Sequence, residues 1–493
     1  MRSFNRLTGV ILVVVLVHLA AKGQEQLGIR LDNYSGMDQA WANPAFVASS
    51  PLNYDLHLAG VGFFANNNYG YLRHTSLLDM RNKNDVVAAW DLENTTLRPG
   101  TLVSDAYDTP TRKFAKVNLQ ITGPSVMFKI DEMHSIGMFS NMRAAFSVTR
   151  IPVVLGYYEY NRQQYNNRFE LTPFEAAGAI WNETGIHYGY KSDQSNGAIS
   201  FGVNLKYNSF MEAGFFGLQN KAGYTKISPD SVQVDLPAVE IAITTGNIRQ
   251  VDVDMDSKQV SIGDIKPRIY GHSVSADLGV SVEITDNDVD GYRWRAGASV
   301  MDFGLAKISR DAEFHTSYPI PQSTLIDFTA YQSVSNYDSL VEKLSDAALG
   351  DPAASLKARS FKMGLPTALS LQGDYQFVPN VFMGGLIVQP FGLSRYNLKR
   401  TAVLAVAPRF ENRYFSFSLP VTVRDWKSAR MGMSARLGFV SFGTDNLGSI
   451  IRKRDFTGTD LYFSLRVNAI NLPQFFSGMG GRKRHSKLGC YEF

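Results

Sequence analysis

Three short stretches of this chain have residue types and spacings that could do chemistry. Asp286-Asn287-Asp288-Val289-Asp290-Gly291 opens like a calcium-binding loop, with oxygen ligands at alternate positions and a glycine for the sharp turn. The last position of such a loop needs a bidentate Glu, and here it falls on Gly297, with strand-like alternation on both flanks. An Asp- and Gly-rich hairpin turn accounts for it better. Gly60, Gly62 and Ala65 have the spacing of a dinucleotide fingerprint, which must open a helix so that its amides meet a pyrophosphate. Here the glycines end a strand and run into Asn66-Asn67-Asn68. Gly297-Ala298-Ser299-Val300-Met301 lacks the second glycine of a nucleophile elbow, and the strand continues to Phe303.

No two of the 8 histidines stand at metal-binding spacing, and the single Cys490 can supply neither a Cys–His cluster nor an intrachain disulfide. No catalytic, cofactor or metal residue is assigned, no cofactor is expected, and the chain reads as a non-enzyme. A net charge of +4, mixed in sign over 493 residues, gives no reason to expect nucleic acid as a partner.

The remaining polar candidates share one property. Asn204, Lys206, Gln372, Asp374, Arg436 and Arg466 all fall on the polar side of segments that alternate apolar and polar residues. Leu461, Phe463, Leu465 and Val467 interleave with Tyr462, Ser464, Arg466 and Asn468, and Met431, Met433, Ala435, Leu437 and Phe439 with Gly432, Ser434, Arg436 and Gly438. Period two is a strand with an oily face and a wet face. Repeated along most of the chain, it predicts a barrel with lipid outside and polar side chains within. On that assignment Ser464 faces a wet lumen and tolerates Arg, whereas Leu465 does not. The chain is 12% aromatic, yet its mean hydropathy is only −0.14, which suits strands that are half wet and excludes a bundle of spanning helices. The one uncharged run that could hide a helix, Tyr375 to Ser394, contains Pro379 and Pro390 and reads as strand, turn at 378–380, strand.

Residues 1–23 read as a signal peptide. Arg2 and Arg6 precede an apolar run from Leu7 to Ala20, and Ala21 and Gly23 give small residues for cleavage before Gln24. Residues 24–51 form an N-terminal segment in which Ser35 to Ala45 looks like a short helix, capped by Ser35 with Asp38 and stopped by Pro44. Residues 52–470 form the barrel. Its first strand is expected to put Leu52, Tyr54, Leu56 and Leu58 outward and Asn53, Asp55 and His57 inward. Short turns at 131–134, 191–197 and 285–291 alternate with long polar stretches at about 65–112, 211–269 and 304–362, the asymmetry of outer-membrane barrels. The expected count is about 14 strands, including strands over 184–190 and 447–453, with both termini on the short-turn, periplasmic side. Asp338 to Leu349 is an amphipathic helix inside a long loop. Residues 471–493 form a tail in which Arg482, Lys483, Arg484, His485 and Lys487 are either a solvated end or a docking surface for an acidic partner or anionic headgroups.

Asn43-Pro44-Ala45 ahead of the first strand resembles the Asn-Pro-Ala element of long-chain fatty-acid transporter (FadL-like) barrels. Gln26-Leu27-Gly28-Ile29-Arg30, Ser135 to Phe139, Ser299 to Gly304, Pro366 to Leu369, Arg436-Leu437-Gly438 and Gly443 to Asn446 resemble a Bacteroidota outer-membrane family of unknown function related to them. The resemblance implies an all-β fold: a transmembrane antiparallel β-barrel of about 14 strands with a short N-terminal hatch inside, in which Asn43 and Pro44 are hatch residues. It implies an outer-membrane protein, surrounded by lipid, that binds or passes a small hydrophobic molecule. The alternative it leaves open is an accessory barrel of protein secretion (type IX-like) or outer-membrane biogenesis, with other envelope proteins as partners.

Overall fold

A computed structural model of the protein describes residues 25–468, apart from short loop stretches at 84, 95–97, 236–238, 255–258, 263–266, 287, 289–290, 318–323, 332–333 and 335. The expected signal peptide, residues 1–23, and the expected basic tail, residues 471–493, lie outside the described residues.

Fourteen staves form the barrel. They are β1 Tyr54–Asn67, β2 Lys113–Thr122 continued by Ser125–Lys129, β3 His134–Ile151, β4 Phe174–Gln194 and β5 Gly197–Leu218. Then come β6 Gly271–Ile284, β7 Trp294–Ile308, β8 Phe361–Gly364 continued by Ala368–Val378, β9 Val381–Pro390 and β10 Val403–Glu411. The last are β11 Phe415–Ser418 with Val421–Arg424, β12 Ser428–Met431 with Met433–Leu437, β13 Val440–Thr444 and β14 Asp460–Asn468. Each stave pairs antiparallel with the next, and β14 pairs with β1 from Asp55↔Asn468 to Phe64↔Asp460, so the sheet closes. Closure leaves no unpaired edge in hydrocarbon.

The alternation of the sequence becomes two surfaces. Val274, Leu278, Val280, Val282 and Ile284 of β6 face out, as do Phe201, Leu205 and Tyr207 of β5. Aromatic pairs stand at both ends of this apolar band, Trp294–Tyr375 beside the short turns (4.3 Å between centroids) and Tyr207–His272 toward the long loops (5.5 Å). All six predicted inward residues are interior: Asn204, Lys206, Gln372, Asp374, Arg436 and Arg466 are each at most 7% exposed.

Several local expectations differ. Residues 447–453 hold a short helix, Leu447–Ile451, in place of a strand. The 191–197 turn shrinks to Ser195-Asn196, because β4 and β5 pair up to Gln194↔Gly197. The long loop of 211–269 begins later, since β5 runs to Leu218. Leu52 is buried, where it packs with Met37 and Phe139, and Asn53 is exposed, both opposite to expectation, so the expected alternation of β1 begins at Tyr54. The loop helix spans Tyr337–Leu349, one residue earlier than expected, with Asn336 accepting from the Ser339 amide as its cap.

Candidate functional site

The lumen is occupied from both ends. Residues 25–52 fold inside the barrel as three short pieces: a helix Leu27–Arg30, a 3-10 turn Gly36–Trp41 and a helix Ala45–Ala48. They are almost wholly buried. The single helix expected over 35–45 does not form. Ser35 donates its hydroxyl to the Ile29 carbonyl in place of capping, and Pro44 starts the second helix instead of stopping the first. Pro44 suits that place because the first turn of a helix needs no amide from it.

Glycine makes room for this segment. On β5, a Cβ added at Gly202 would lie 2.2 Å from the Pro44 carbonyl carbon. On β6, one at Gly279 would lie 2.0 Å from Asn43 Oδ1, and on β7, one at Gly297 would lie 2.7 Å from Asn43 Nδ2. Gly202 and Gly279 are register partners, so the three glycines line one shallow trough across neighbouring staves. In that trough Asn43 Nδ2 donates to the carbonyls of Val280 (3.1 Å) and Ala298 (3.3 Å) and to Gln372 Oε1 (3.0 Å). Its Oδ1 accepts from the Ala45 amide at 2.9 Å. Ser299, the would-be nucleophile, donates to the Ala42 carbonyl at 2.8 Å and belongs to the same seat.

Charge holds the rest of the segment to the wall. Asp32 pairs with Arg436 (2.7 Å), Asp38 with Arg466 and with His57 (3.2 Å), and Asn33 donates to Glu411. From the long-loop end a second insert enters. The β9–β10 connection, residues 391–402, sends Tyr396 to stack on Phe215 at 3.7 Å and buries Leu398. Its Arg400 reaches Glu25 of the N-terminal segment through two hydrogen bonds of 2.9 Å. Arg30 joins the same carboxylate at 3.3 Å. The two inserts therefore meet inside the barrel at a bidentate ion pair.

Around this meeting point lies a layer of wall charges centred on Asp302. A register shift between β6 and β7, opposite Ala276 and Leu278, bulges β7 there and puts Asp302 in the left-handed region at φ 53°. The bulge turns its carboxylate inward, where it accepts from Arg143 (2.8 Å) and Lys206 (2.5 Å) and lies 3.8 Å from Arg400. Lys206 also reaches Asp277 at 2.6 Å, and Arg143 reaches Glu183 at 3.1 Å. Lys206 was legible in the sequence as an inward residue. Asp302, Arg143 and Arg400 were not. The bulge breaks the alternation at Asp302, Arg143 sits where both faces of β3 are half-covered, and Arg400 is in a loop.

Toward the long loops the lumen becomes apolar. Trp181, Phe210, Phe215, Phe361, Met363 and Leu398 form one buried cluster with alanines of β3, β4 and β5. A bulge in β5 at Phe210/Glu212 switches the inward face from even to odd residues, so that Ala213 and Phe215 join it. A second apolar cluster, of Leu171, Leu218, Tyr224, Val232 and Val234, lies in the loop sheet built on Arg168–Leu171, Ala222–Ser228 and Ser231–Asp235. Among the described residues no group of three or more His, Cys, Asp or Glu could hold a metal ion.

Fourteen closed staves around a lumen filled from both ends define a plugged transmembrane β-barrel. The chain belongs to a family of unknown function (DUF5723), whose model matches residues 44–445. No curated protein matches it. Solved structures similar to it include a deltaS2 mutant of the TodX monoaromatic hydrocarbon channel, at 9% identity over 88% of this chain and 93% of that one, with a TM-score of 0.37. The P. putida toluene transporter TodX is similar at 11% identity over 88% and 94%, with a TM-score of 0.29. A Pseudomonas aeruginosa FadL homologue is similar at 12% over 91% and 98%, with a TM-score of 0.23. Likeness at this level carries nothing about a ligand for this chain, and the fold rests on its own closed sheet.

Proposed function

We propose that this protein is an outer-membrane barrel that binds or passes a small hydrophobic molecule. In this reading residues 1–23 are a cleaved signal peptide, both termini are periplasmic, and residues 24–51 are a hatch seated through Asn43 and Pro44. The observation that most supports it is the apolar long-loop half of the lumen, built around Phe215, Phe361 and Met363. A water-filled pore carries polar walls at that height. An apolar molecule captured among the long loops would enter this cluster by displacing residues 391–402. It would then meet the Glu25–Arg400 layer, which stops it until the inserts part. The test is binding of a fluorescent apolar probe to the purified barrel, with mass spectrometry of what co-purifies from native membranes. Phe215→Asp is expected to weaken probe binding about tenfold or more, the scale of an apolar contact replaced by a buried charge. Equal binding by the variant, in folded protein, sinks the reading.

A second reading is favoured by the tightness of the packing. A cavity beside Arg30, Arg143, Asp302 and Arg400 holds only about 30 Å³ of free space. Sites for small ligands are roughly 300–1,000 Å³. A barrel that conducts nothing would act as an accessory of protein secretion or outer-membrane biogenesis, docking partners through its long loops or basic tail. Crosslinking in intact cells, followed by identification of stable partners, separates this reading from the first.

A further inference from the structure

The lumenal arginines are neutralised one by one. Arg143, Arg295, Arg400, Arg409, Arg424, Arg436 and Arg466 each lie within ion-pair distance of at least one carboxylate. Arg430, on a wall strand, departs from this rule, and two exposed loop arginines stand beside it. At the long-loop end of β12–β14, a small pocket is lined by Arg430, Arg452 and Arg454 together with Thr75, Asn446 and Ser449. None of the three guanidinium groups makes an ion pair among the described residues. Arg430 donates Nη2 to Asn66 Oδ1 at 2.6 Å, while its Nη1 is buried with no hydrogen-bond partner among the described residues. One carboxylate, Asp455, also lines the pocket, and the other two that act on Arg430, Asp460 and Asp425, are already paired with Arg424 and Lys116, so the three cations outnumber the carboxylates left to them.

The pocket is built by the fold rather than by chance side-chain positions. The loop segment Arg454–Phe456 pairs with Gly70–Thr75, which fixes Arg454 next to Thr75. The short helix Leu447–Ile451 carries Ser449, whose hydroxyl donates to the Asn446 carbonyl and lies 2.9 Å from Thr459 Oγ1. Gly458, at φ +145°, brings the chain back so close that a Cβ there would sit 2.1 Å from the Ala65 carbonyl oxygen. Thr75, Asn446 and Ser449 are buried, whereas Arg452 and Arg454 are exposed. The result is a recess with a polar floor and an exposed cationic rim, whose roughly 20 Å³ of free space admits one water-sized group and leaves the rest of any anion at the rim.

We propose that this recess is a phosphate-binding site. Planar guanidinium groups match phosphate oxygens in pairs, and unneutralised arginines beside hydroxyl and amide groups are the composition that holds a phosphate monoester. The buried, unpartnered Nη1 of Arg430 is the donor that such an oxygen would satisfy. Two sources offer this group at the long-loop end: a free phosphorylated solute, and the phosphorylated headgroup of an outer-leaflet glycolipid. The second source rests on the orientation proposed above, and the first does not.

The test uses the full-length mature protein in detergent, folded as judged by heat-modifiable gel mobility. Inorganic phosphate is titrated by calorimetry, and lipid retained from native membranes is identified by mass spectrometry. The variants are Arg452→Gln, Arg454→Gln and the pair combined, with Lys453→Gln as the control. Lys453 is their neighbour but pairs with Asp79 at 2.9 Å, outside the recess. Each Arg substitution is expected to weaken phosphate binding about tenfold, with affinity also falling as salt rises, and the control is expected to change little. Phosphate binding that follows this pattern assigns a free-solute site. No binding of free phosphate, with a phosphorylated glycolipid retained by the parent and control but lost from the Arg variants, assigns the headgroup. Neither ligand on the parent, or equal losses in the Lys453→Gln control, overturns the proposal. The apolar-probe experiment reads the Phe215 cluster, which shares no residue with this recess, so either proposal can fail without the other.

Discussion

Glu25 accepts from both Arg400 and Arg30, so this carboxylate joins the N-terminal segment to the inserted loop. Breaking a buried ion pair costs about 3–5 kcal/mol where it strands a charge, and removing Arg400 leaves Glu25 with Arg30 alone, at 3.3 Å, so that figure is an upper bound here. Arg400→Ala is therefore expected to destabilise the barrel by up to that amount in denaturant titrations. Glu25→Gln combined with Arg400→Gln should cost less than the two single changes added together, because the pair is coupled. Additive losses would show that the two inserts do not meet through this contact. A second residue-scale case lies outside the spanning staves. Asp105, in the first long loop, accepts from Tyr158 at 2.5 Å and Arg73 at 2.7 Å. Burial pushes its carboxyl up, but these two hydrogen bonds, together with those from the Ala106 amide and Tyr71, outweigh burial and hold it below the usual carboxylate range. A lowered carboxyl contributes stability above its unfolded value, near pH 4, and the contribution fades as pH falls through the lower folded value. Loop proteolysis should therefore accelerate on acidification below about pH 4 in the parent, and Asp105→Asn should already be cleaved faster at neutral pH. A parent whose cleavage is flat with pH contradicts this. Neither contact was legible from residue types alone, since each joins positions far apart in the chain.

At the scale of elements, alternation carried most of the information. Leu461, Phe463 and Leu465 face outward and Tyr462, Ser464 and Arg466 inward, as period two requires. Alternation says which way a side chain points and nothing of what it meets. A wet lumen would let Ser464 tolerate Arg. Instead it is 1% exposed, with its hydroxyl 3.3 Å from Asp38 of the N-terminal segment. Ser464→Arg and Leu465→Arg should therefore both reduce folded yield, for different reasons. The first overfills the plugged lumen, and the second places a charge toward lipid at about 2–4 kcal/mol near the midplane. Heat-modifiable mobility of both variants checks this, and normal behaviour of Ser464→Arg would mean that the lumen has room. The glycine trough gives a cleaner element-scale test. Gly202→Ala keeps β5 intact but drives a methyl into the Pro44 backbone. It should leave the barrel folded and expose residues 25–52 to added protease. The trough was hidden in the sequence because Gly202, Gly279 and Gly297 stand on three separate staves, and only their registers align them. The strand expected over 447–453 failed for a related reason. Ile450 and Ile451 look like a strand's apolar run, but they close a short helix in the loop above the closed sheet, and only Arg454–Phe456 beyond it finds a strand neighbour, in Gly70–Thr75.

At the scale of the molecule, the lumen is zoned along its axis. The N-terminal segment fills the short-turn half, Asp302 and its cations form a middle layer, and the Phe215 cluster with residues 391–402 fills the rest. The barrel itself was readable because each stave repeats the same signal, but the second insert was not. Residues 391–402 mix apolar and polar types with no period-two alternation, and the stacking of Tyr396 on Phe215, the burial of Leu398 and the reach of Arg400 to Glu25 put them inside. This zoning makes a prediction that a single-hatch barrel would not. If the N-terminal segment were the only stopper, deleting residues 25–50 would open a wide pore at once. With a second insert and an apolar cluster still in place, that deletion should give at most small, flickering conductance in planar bilayers. Replacing residues 393–399 with a short Gly-Ser linker should do little alone, since the N-terminal segment and its ion pairs remain. The two changes together should open a stable pore, because only then does the axis lose both fillings. Full conductance from the N-terminal deletion alone would show that the loop insert is not a barrier and that the Glu25–Arg400 contact merely fastens the hatch.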